Sequence, residues 1–336
     1  MKVLYIRPYT GEMEMVTAGL PGHEAIAAEC VFDVADEVLA DVAVLSVFVD
    51  YQVTADVLAK LPSLTCIATR SAGFDHIDRS VTAERNITIV RVPHYGARTV
   101  AEYAFALMFA LSRNAYRSYL DLRSQASDVV LERYEGFDLC GKTLAVVGTG
   151  VIGKSVCAIG RGIGMKVLAF DVHPDVEFAK TQGITYGELD AILPQADIVT
   201  IHVPSLPATH HLINQERLAL MKQGSYLINT ARGDIVDTMA LVAALKNGHL
   251  AGAGLDVLEG EHELRNEVAL LSGDEPVDVS LWKTMVADHA LIDLPQVVVT
   301  PHIAFDTKEA KREITEITLA NIVAFAAGTP QNIVSS

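Results

Sequence analysis

Short apolar runs alternate with helically spaced segments along most of this 336-residue chain. Residues 2–7 (KVLYIR), 42–47 (VAVLSV), 64–69 (LTCIAT) and 87–91 (ITIVR) are apolar at consecutive positions, as strands covered on both faces of a parallel sheet must be. Stretches near 23–30, 54–60 and 75–85 are read as the helices between them. This β–α repetition predicts a doubly wound α/β domain. A second set of apolar runs, at 143–148, 165–171, 197–203, 224–229, 251–256 and 296–300, predicts a six-stranded sheet. Between the two sets, RTVAEYAFALMFALSR (98–113) predicts a long helix. It is apolar on most faces, so it is either buried all round or part of a subunit interface. A last helix over 307–327 is long enough to return to the first domain. The expected organisation is therefore one domain of residues 1–98 plus 302–336, interrupted by a second over 99–301. The segment 262–293 breaks the rhythm, being long and partly polar for an α/β connection. A lid and a passive surface insertion both fit it.

The second set opens on a motif. The strand TLAVV runs into Gly148-x-Gly150-x-x-Gly153, a helix starts there, and the next apolar run ends on Asp171. Gly148 permits the tight turn, and Gly150 allows a pyrophosphate to approach the main chain. Gly153 allows the helix to pack closely on the strand. The helix N-terminus offers unpaired amides to the phosphates, and an acid at the second strand's end accepts from the ribose hydroxyls. A carboxylate at 171 repels a 2′-phosphate, and no Arg follows it in VHPDVEFAK, so NAD is expected rather than NADP.

Charge and cysteine content narrow the partners. The net charge is −16, from 26 basic and 42 acidic residues. Such a surface repels nucleic acid and anionic membranes, and an anionic substrate needs local cations to hold it. Cys30, Cys66, Cys140 and Cys157 have no metal-ligand spacing and lie mostly in apolar runs, so buried free thiols of a reducing cytoplasm are expected. The start, MKVLYIRPYTGE, turns polar too soon for a signal peptide, and no run is long enough for a membrane helix. No metal site is expected; the pair His210-His211 lies in a loop, and neighbouring residues seldom chelate one ion.

Ligands of doubly wound sheets bind beyond the carboxyl ends of the strands. Three such ends carry polar residues here: Asn229-Thr-Ala-Arg232-Gly233, Asp256 followed by Glu259 and Glu261, and Pro301-His302. Together they supply the parts needed to reduce a 2-oxo acid. A protonated imidazole donates to the carbonyl oxygen as hydride arrives, and a neighbouring carboxylate orients the ring and favours its protonated form. A guanidinium grips the substrate carboxylate with fork geometry. His302, Glu261 and Arg232 fit these roles. Each residue taken singly also fits an ordinary structural role.

The ordered motifs TRSAGFDHID (69–78), RVPHYGARTVAEYAFAL (91–107), VVGTGVIG (146–153), INTARGDIVDTMAL (228–241), AGLDVLEGE (253–261) and TPHIAFDT (300–307) resemble the NAD-dependent D-2-hydroxyacid dehydrogenases, in particular their D-lactate dehydrogenase-like branch. The resemblance runs over nearly the whole chain. It implies a Rossmann NAD-binding domain inserted in a flavodoxin-like substrate domain. It implies Arg232 on substrate carboxylate and carbonyl, His302 as proton donor and acceptor, and Glu261 as its acid partner. The backbone of Ala72 and Gly73 would hold the substrate carboxylate, with Tyr95 nearby and Phe48 on the pocket wall. Gly148, Gly150, Val151, Ile152, Gly153 and Asp171 would hold the ADP half of NAD. Thr99, Val203, Pro204, Thr230, Ala231, Asp256 and Ala304 would line the rest of the cofactor site. Leu281-Trp282 matches a Leu-Trp pair in the longer connection of the D-lactate-like branch.

A large aromatic at 48 leaves room for a methyl group better than for a bulky one, so the expected substrate is pyruvate and the product D-lactate. Reductases of glyoxylate, hydroxypyruvate or a branched 2-oxo acid are the main alternatives. An NAD-sensing binding protein is the other. A homodimer in the cytoplasm, acting on a small 2-oxo or 2-hydroxy acid without nucleic-acid or membrane partners, completes the expectation.

Overall fold

The computed structural model describes residues 1–124, 131–261, 264 and 278–334. The chain divides into two compact units, Met1–Gly96 with Asp306–Ser336, and Ala97–Phe305. His302 and Ala304 thus belong to the second unit.

The first unit is built on five parallel strands, β1 (Lys2–Ile6), β2 (Glu24–Ala28), β3 (Val42–Val47), β4 (Cys66–Thr69) and β5 (Thr88–Val90), in the order β2-β1-β3-β4-β5. The two-residue strand period divides their side chains between two cores. Leu4, Ile6, Leu45, Val47, Ile67 and Ile89 face one way. Val3, Tyr5, Val44, Cys66, Ala68 and Val90 face the other, where Ile322 of the helix Lys308–Ala326 joins them. Thr307 caps that helix, its hydroxyl accepting from the Ala310 amide at 3.1 Å.

One expected helix is a strand. Residues 24–28 (EAIAA) pair in parallel with β1 at the edge of the sheet, and the helix lies earlier, over Glu12–Gly19. Alanine-rich composition favours a helix locally, but an open edge of ladder groups on β1 outweighs that small preference. The expected helix at 75–85 is confined to Arg79–Glu84, where Asp78 caps it.

The described residues of the second unit form seven parallel strands: β6 (Thr143–Val147), β7 (Lys166–Phe170), β8 (Thr185–Tyr186), β9 (Ile198–Ile201), β10 (Ser225–Asn229), β11 (Leu250–Leu255) and β12 (Val297–Val299). Their order is β12-β11-β10-β9-β6-β7-β8, so the winding reverses between β6 and β9. Ligands of such sheets bind at that reversal. The sequence pattern lacked β8, a two-residue edge strand too short to show a period. Ala145 and Val147 of β6 enter one core, and Leu144 and Val146 the other.

The helix Ala97–Ser112 packs on the second core through Ala101, Ala104, Phe105, Leu107 and Met108. It is not covered all round, since Glu102, Ala106 and Phe109 form an exposed strip. The C-terminal half of the irregular segment is the helix Val279–Asp293, with Leu281 and Trp282 in its first turn and Asp278 as its cap. The rest, 262–263 and 265–277, lies outside the described residues. Two of the four cysteines are not buried as expected: Cys140 is exposed and Cys30 half-buried, while Cys66 and Cys157 are buried, and all four are free thiols.

Candidate active site and dinucleotide site

The glycine loop follows β6 directly. Gly148 has φ +92°, and a Cβ there would lie 2.7 Å from the His202 carbonyl oxygen, so no larger residue fits. A Cβ on Gly153 would collide with the Gly148 carbonyl oxygen, which is how closely the helix Val151–Ile163 sits on the turn. At Gly150 a Cβ would meet nothing within 4 Å. No side chain caps the helix that starts after it. Open space beside an uncapped helix N-terminus is the cradle that a pyrophosphate fills.

Asp171 follows β7. Its Oδ2 accepts from the Thr149 amide at 2.6 Å and the Thr149 hydroxyl at 2.9 Å, and its Oδ1 from the His173 amide at 2.8 Å. Partial burial pushes its pKa up, but these donors outweigh it and hold the carboxyl below its ordinary value. Tyr186 donates to Thr149 at 2.8 Å and completes the chain. The carboxylate is thus ionised and fixed in orientation, with lone pairs left for hydroxyl groups. A second sign of a missing partner is Thr230, whose buried hydroxyl has no hydrogen-bond partner among the described residues. These features fit NAD.

The catalytic candidates sit at the ends of three neighbouring strands. After β10, the Asn229 side chain ties the turn by accepting from the Ala231 amide at 3.0 Å and donating to the Arg232 carbonyl at 2.8 Å. Arg232 is half-buried, with Nη1 donating to the Ala231 carbonyl at 2.8 Å. A Cβ on Gly233 would lie 2.0 Å from the Leu258 carbonyl carbon, so this turn touches the main chain of the next one. The arginine and the acid-bearing turn are therefore held in register by backbone contact.

After β11 comes Asp256, almost fully buried. Its carboxylate organises the turn after β12, accepting from the Thr300 hydroxyl at 2.6 Å, the Ile303 amide at 3.0 Å and the Ala304 amide at 2.8 Å. Its carbonyl accepts from the His302 amide at 2.8 Å. Burial raises its pKa, partly offset by those donors. His302 has φ +57°, a conformation uncommon for a residue with a Cβ, and the Asp256 bonds hold it there. The result is that His302 Nδ1 lies 2.8 Å from Glu261 Oε1.

Ala304, Val203 and Pro204 also lie just past strands of this sheet, and Thr99 is in the first turn of Ala97–Ser112. The pair His210-His211 finds an acid that the spacing did not reveal: His211 Nε2 lies 2.7 Å from Glu259 Oε1. The two imidazoles stack at 4.0 Å with an interplanar angle of 34°. This contact braces the turn that carries Glu261.

Within the first unit, Ala72 and Gly73 follow β4. Their carbonyls accept from Arg91 at 3.1 Å and Ser71 at 2.6 Å. Phe48 is nearly buried, and Tyr9 meets its ring edge-on at 5.9 Å. Tyr95 is half-buried. His76 is buried near Thr69, and His94 is exposed. The sequence reading lacked the support beneath this loop. Arg70 is fully buried, paired with Glu12, and donates to the carbonyls of Ile6 and Arg7. Its only sequence signal is an arginine at the end of an apolar run; nothing marks Glu12 as its partner.

Residues 105–304 match the family described as D-isomer specific 2-hydroxyacid dehydrogenase, NAD binding domain. A 2-hydroxyacid dehydrogenase homolog of Schizosaccharomyces pombe is 39% identical over 91% of this chain and 90% of its own length. The glycerate dehydrogenase of Methylorubrum extorquens is 37% identical over 84% and 82%. Among solved structures, the D-lactate dehydrogenase of Aquifex aeolicus complexed with NAD and lactic acid aligns with TM-score 0.83 and 34% identity, covering 97% of this chain and 96% of that one.

Proposed function

The chain belongs to the NAD-dependent D-isomer-specific 2-hydroxyacid dehydrogenases, and from that premise we propose that it interconverts pyruvate and D-lactate, with Arg232, Glu261 and His302 as its catalytic groups. The observation that carries the catalytic assignment is the 2.8 Å contact between His302 Nδ1 and Glu261 Oε1. Glu261 fixes the imidazole in the tautomer and orientation that present Nε2 to the substrate. In reduction, Nε2–H gives its proton to the carbonyl oxygen; in oxidation, Nε2 takes it back from the hydroxyl. The Arg232 fork binds the substrate carboxylate and polarises the carbonyl. The Ala72–Gly73 backbone adds to carboxylate binding, with Tyr95 beside it. NADH supplies the hydride. Gly148, Gly150, Val151, Ile152 and Gly153 bind its pyrophosphate and Asp171 its ribose. Thr99, Val203, Pro204, Thr230, Ala231, Asp256 and Ala304 line the remainder.

The choice of pyruvate rests on Phe48. Its ring meets Tyr9 edge-on, a contact that would stiffen it as a pocket wall. A large aromatic wall would favour a methyl side chain over a benzyl group. The glycerate dehydrogenase relative makes hydroxypyruvate the closest competitor.

We also propose a homodimer. The exposed Phe109, Tyr116, Tyr119, Leu120 and Leu122 concentrate apolar surface on two successive helices. Sedimentation that gives a monomer at every concentration would refute it. No helix among the described residues is long and apolar enough to cross a membrane. The four free thiols support a cytoplasmic location.

The test is NADH oxidation with pyruvate, 2-oxobutyrate, phenylpyruvate, glyoxylate and hydroxypyruvate. Pyruvate is expected to give the highest kcat/KM, and Phe48→Ala to raise phenylpyruvate use. A preference for hydroxypyruvate or glyoxylate keeps the mechanism and replaces the substrate. NADH binding without turnover of any acid favours an NAD-sensing role instead.

A further inference from the structure

The helix Val279–Asp293 buries Met285, Ala287, Asp288 and Leu291. Three of these are apolar. The fourth, Asp288, is 0% exposed. A carboxyl group at such a position is costly unless something compensates for its lost hydration. Part of the compensation is visible: Oδ2 accepts the Gly260 amide at 2.9 Å. Oδ1 is buried with no hydrogen-bond partner among the described residues. Gly260 permits the contact, because a Cβ there would itself stand 2.9 Å from Oδ2.

Gly260 is the residue before Glu261. The turn Glu259–Gly260–Glu261 is gripped at each position in succession, by His211 on Glu259, Asp288 on the Gly260 amide and His302 on Glu261. His211 and His302 hold ends of flexible side chains. Asp288 holds the main chain, which decides where the Glu261 side chain starts.

We propose that Asp288 is a positioning residue: its buried carboxyl group holds the Gly260 amide and thereby sets where Glu261 presents its carboxylate to His302. This rests on the reading of Glu261 and His302 as the acid–base pair.

The electrostatics give the proposal a readout. Burial, with the charges of Glu259 and Glu261 adding to it, pushes the Asp288 carboxyl up to about 7, while the Gly260 amide and His289 pull it down. Near neutrality Asp288 therefore passes from a neutral acid to an anion enclosed beside two other carboxylates. The Gly260 amide is the strongest influence favouring the anion, so ionisation tightens the hold on the turn. Turnover that depends on Glu261 then falls as pH drops through about 7, and it falls in both reaction directions. The proton on His302 acts oppositely in the two directions, being required for reduction and obstructive in oxidation. The two effects separate when both directions are measured.

The experiment is steady-state kinetics across pH, in both directions, on the wild type, Asp288→Asn, Asp288→Leu, Glu261→Gln and the double variant E261Q/D288L. Asp288→Asn keeps an oxygen for the Gly260 amide and cannot ionise. It is expected to retain kcat within about threefold and to lose the acid-side fall in oxo-acid reduction. Asp288→Leu keeps the volume without the acceptor. It is expected to lower kcat roughly tenfold with the KM for NADH unchanged, and to cost nothing further once Glu261 is Gln. Wild-type kcat in D288L, multiplying losses in the double variant, or a D288N enzyme that keeps the acid-side fall would each overturn the proposal. If D288L does not fold, the near-isosteric D288N profile decides the matter. An E261Q enzyme with undiminished turnover would remove the acid–base pair itself, and the role of Asp288 with it.

Discussion

His302 Nδ1 and Glu261 Oε1 stand 2.8 Å apart although 41 positions separate the residues in the chain. Two different turns meet there, and Asp256 is what fixes the second one. It binds the Thr300 hydroxyl and the amides of Ile303 and Ala304 through its carboxylate, and the His302 amide through its carbonyl. The left-handed backbone of His302 depends on those bonds.

Replacing Asp256 by Ala is therefore expected to cost both stability and turnover. Three donors lose their acceptor in a buried turn, at about 1–3 kcal/mol for each group left unpaired. Denaturant unfolding of Asp256→Ala should show a loss of at least about 3 kcal/mol. A variant with the wild-type midpoint would mean that the turn is held by something else.

Arg232→Lys tests the fork. Lysine keeps the charge but presents one rotating ammonium in place of two parallel N–H groups. The expected outcome is a kcat/KM for the oxo acid lowered about 100-fold, with the KM for NADH within a factor of about two. Equal loss for both substrates would place Arg232 in the scaffold rather than on the substrate.

Asp171→Ala removes the carboxylate that repels a 2′-phosphate and accepts from the ribose. The ratio of NADH to NADPH efficiency should drop at least tenfold, on the order of 1.4 kcal/mol of lost discrimination. Thr149 also loses its acceptor, so some loss of NADH affinity accompanies the change. Unaltered NADH preference would contradict the cofactor assignment.

Asp288 makes stability depend on pH in a stated direction. Its folded-state pKa, about 7, lies above the ordinary carboxyl value of 3.8. The folded protein holds that proton more tightly, so the contribution is complete below about pH 4 and is lost as pH rises to about 7. The advantage of Asp288→Asn over wild type in thermal unfolding should therefore grow across that window and level off above it. Its full size is on the order of 4 kcal/mol. A difference independent of pH would show that Asp288 stays ionised throughout.

Legibility in the sequence followed the strength of the local signal. Gly148, Gly150, Gly153 and Asp171 were readable because a strand, a turn and a helix start leave a fixed spacing. Arg232, Glu261 and His302 were readable as polar residues at strand ends, and the order of the motifs joined them. The strand β2 was not, because EAIAA has helix-favouring composition and becomes a strand only through pairing with β1. The pairs Arg70–Glu12 and His211–Glu259 join positions far apart, and nothing local marks either partner. Asp288 looks like any polar position in ADHALID, and only packing reveals that it points inward.

The central claim is that His302 carries the proton that accompanies hydride transfer. The most direct test is His302→Gln, assayed for turnover with the preferred oxo acid and, separately, for NADH binding by fluorescence. The account predicts turnover reduced by about 1,000-fold with NADH affinity changed less than about threefold. Turnover within tenfold of wild type, with NADH still bound, would contradict it.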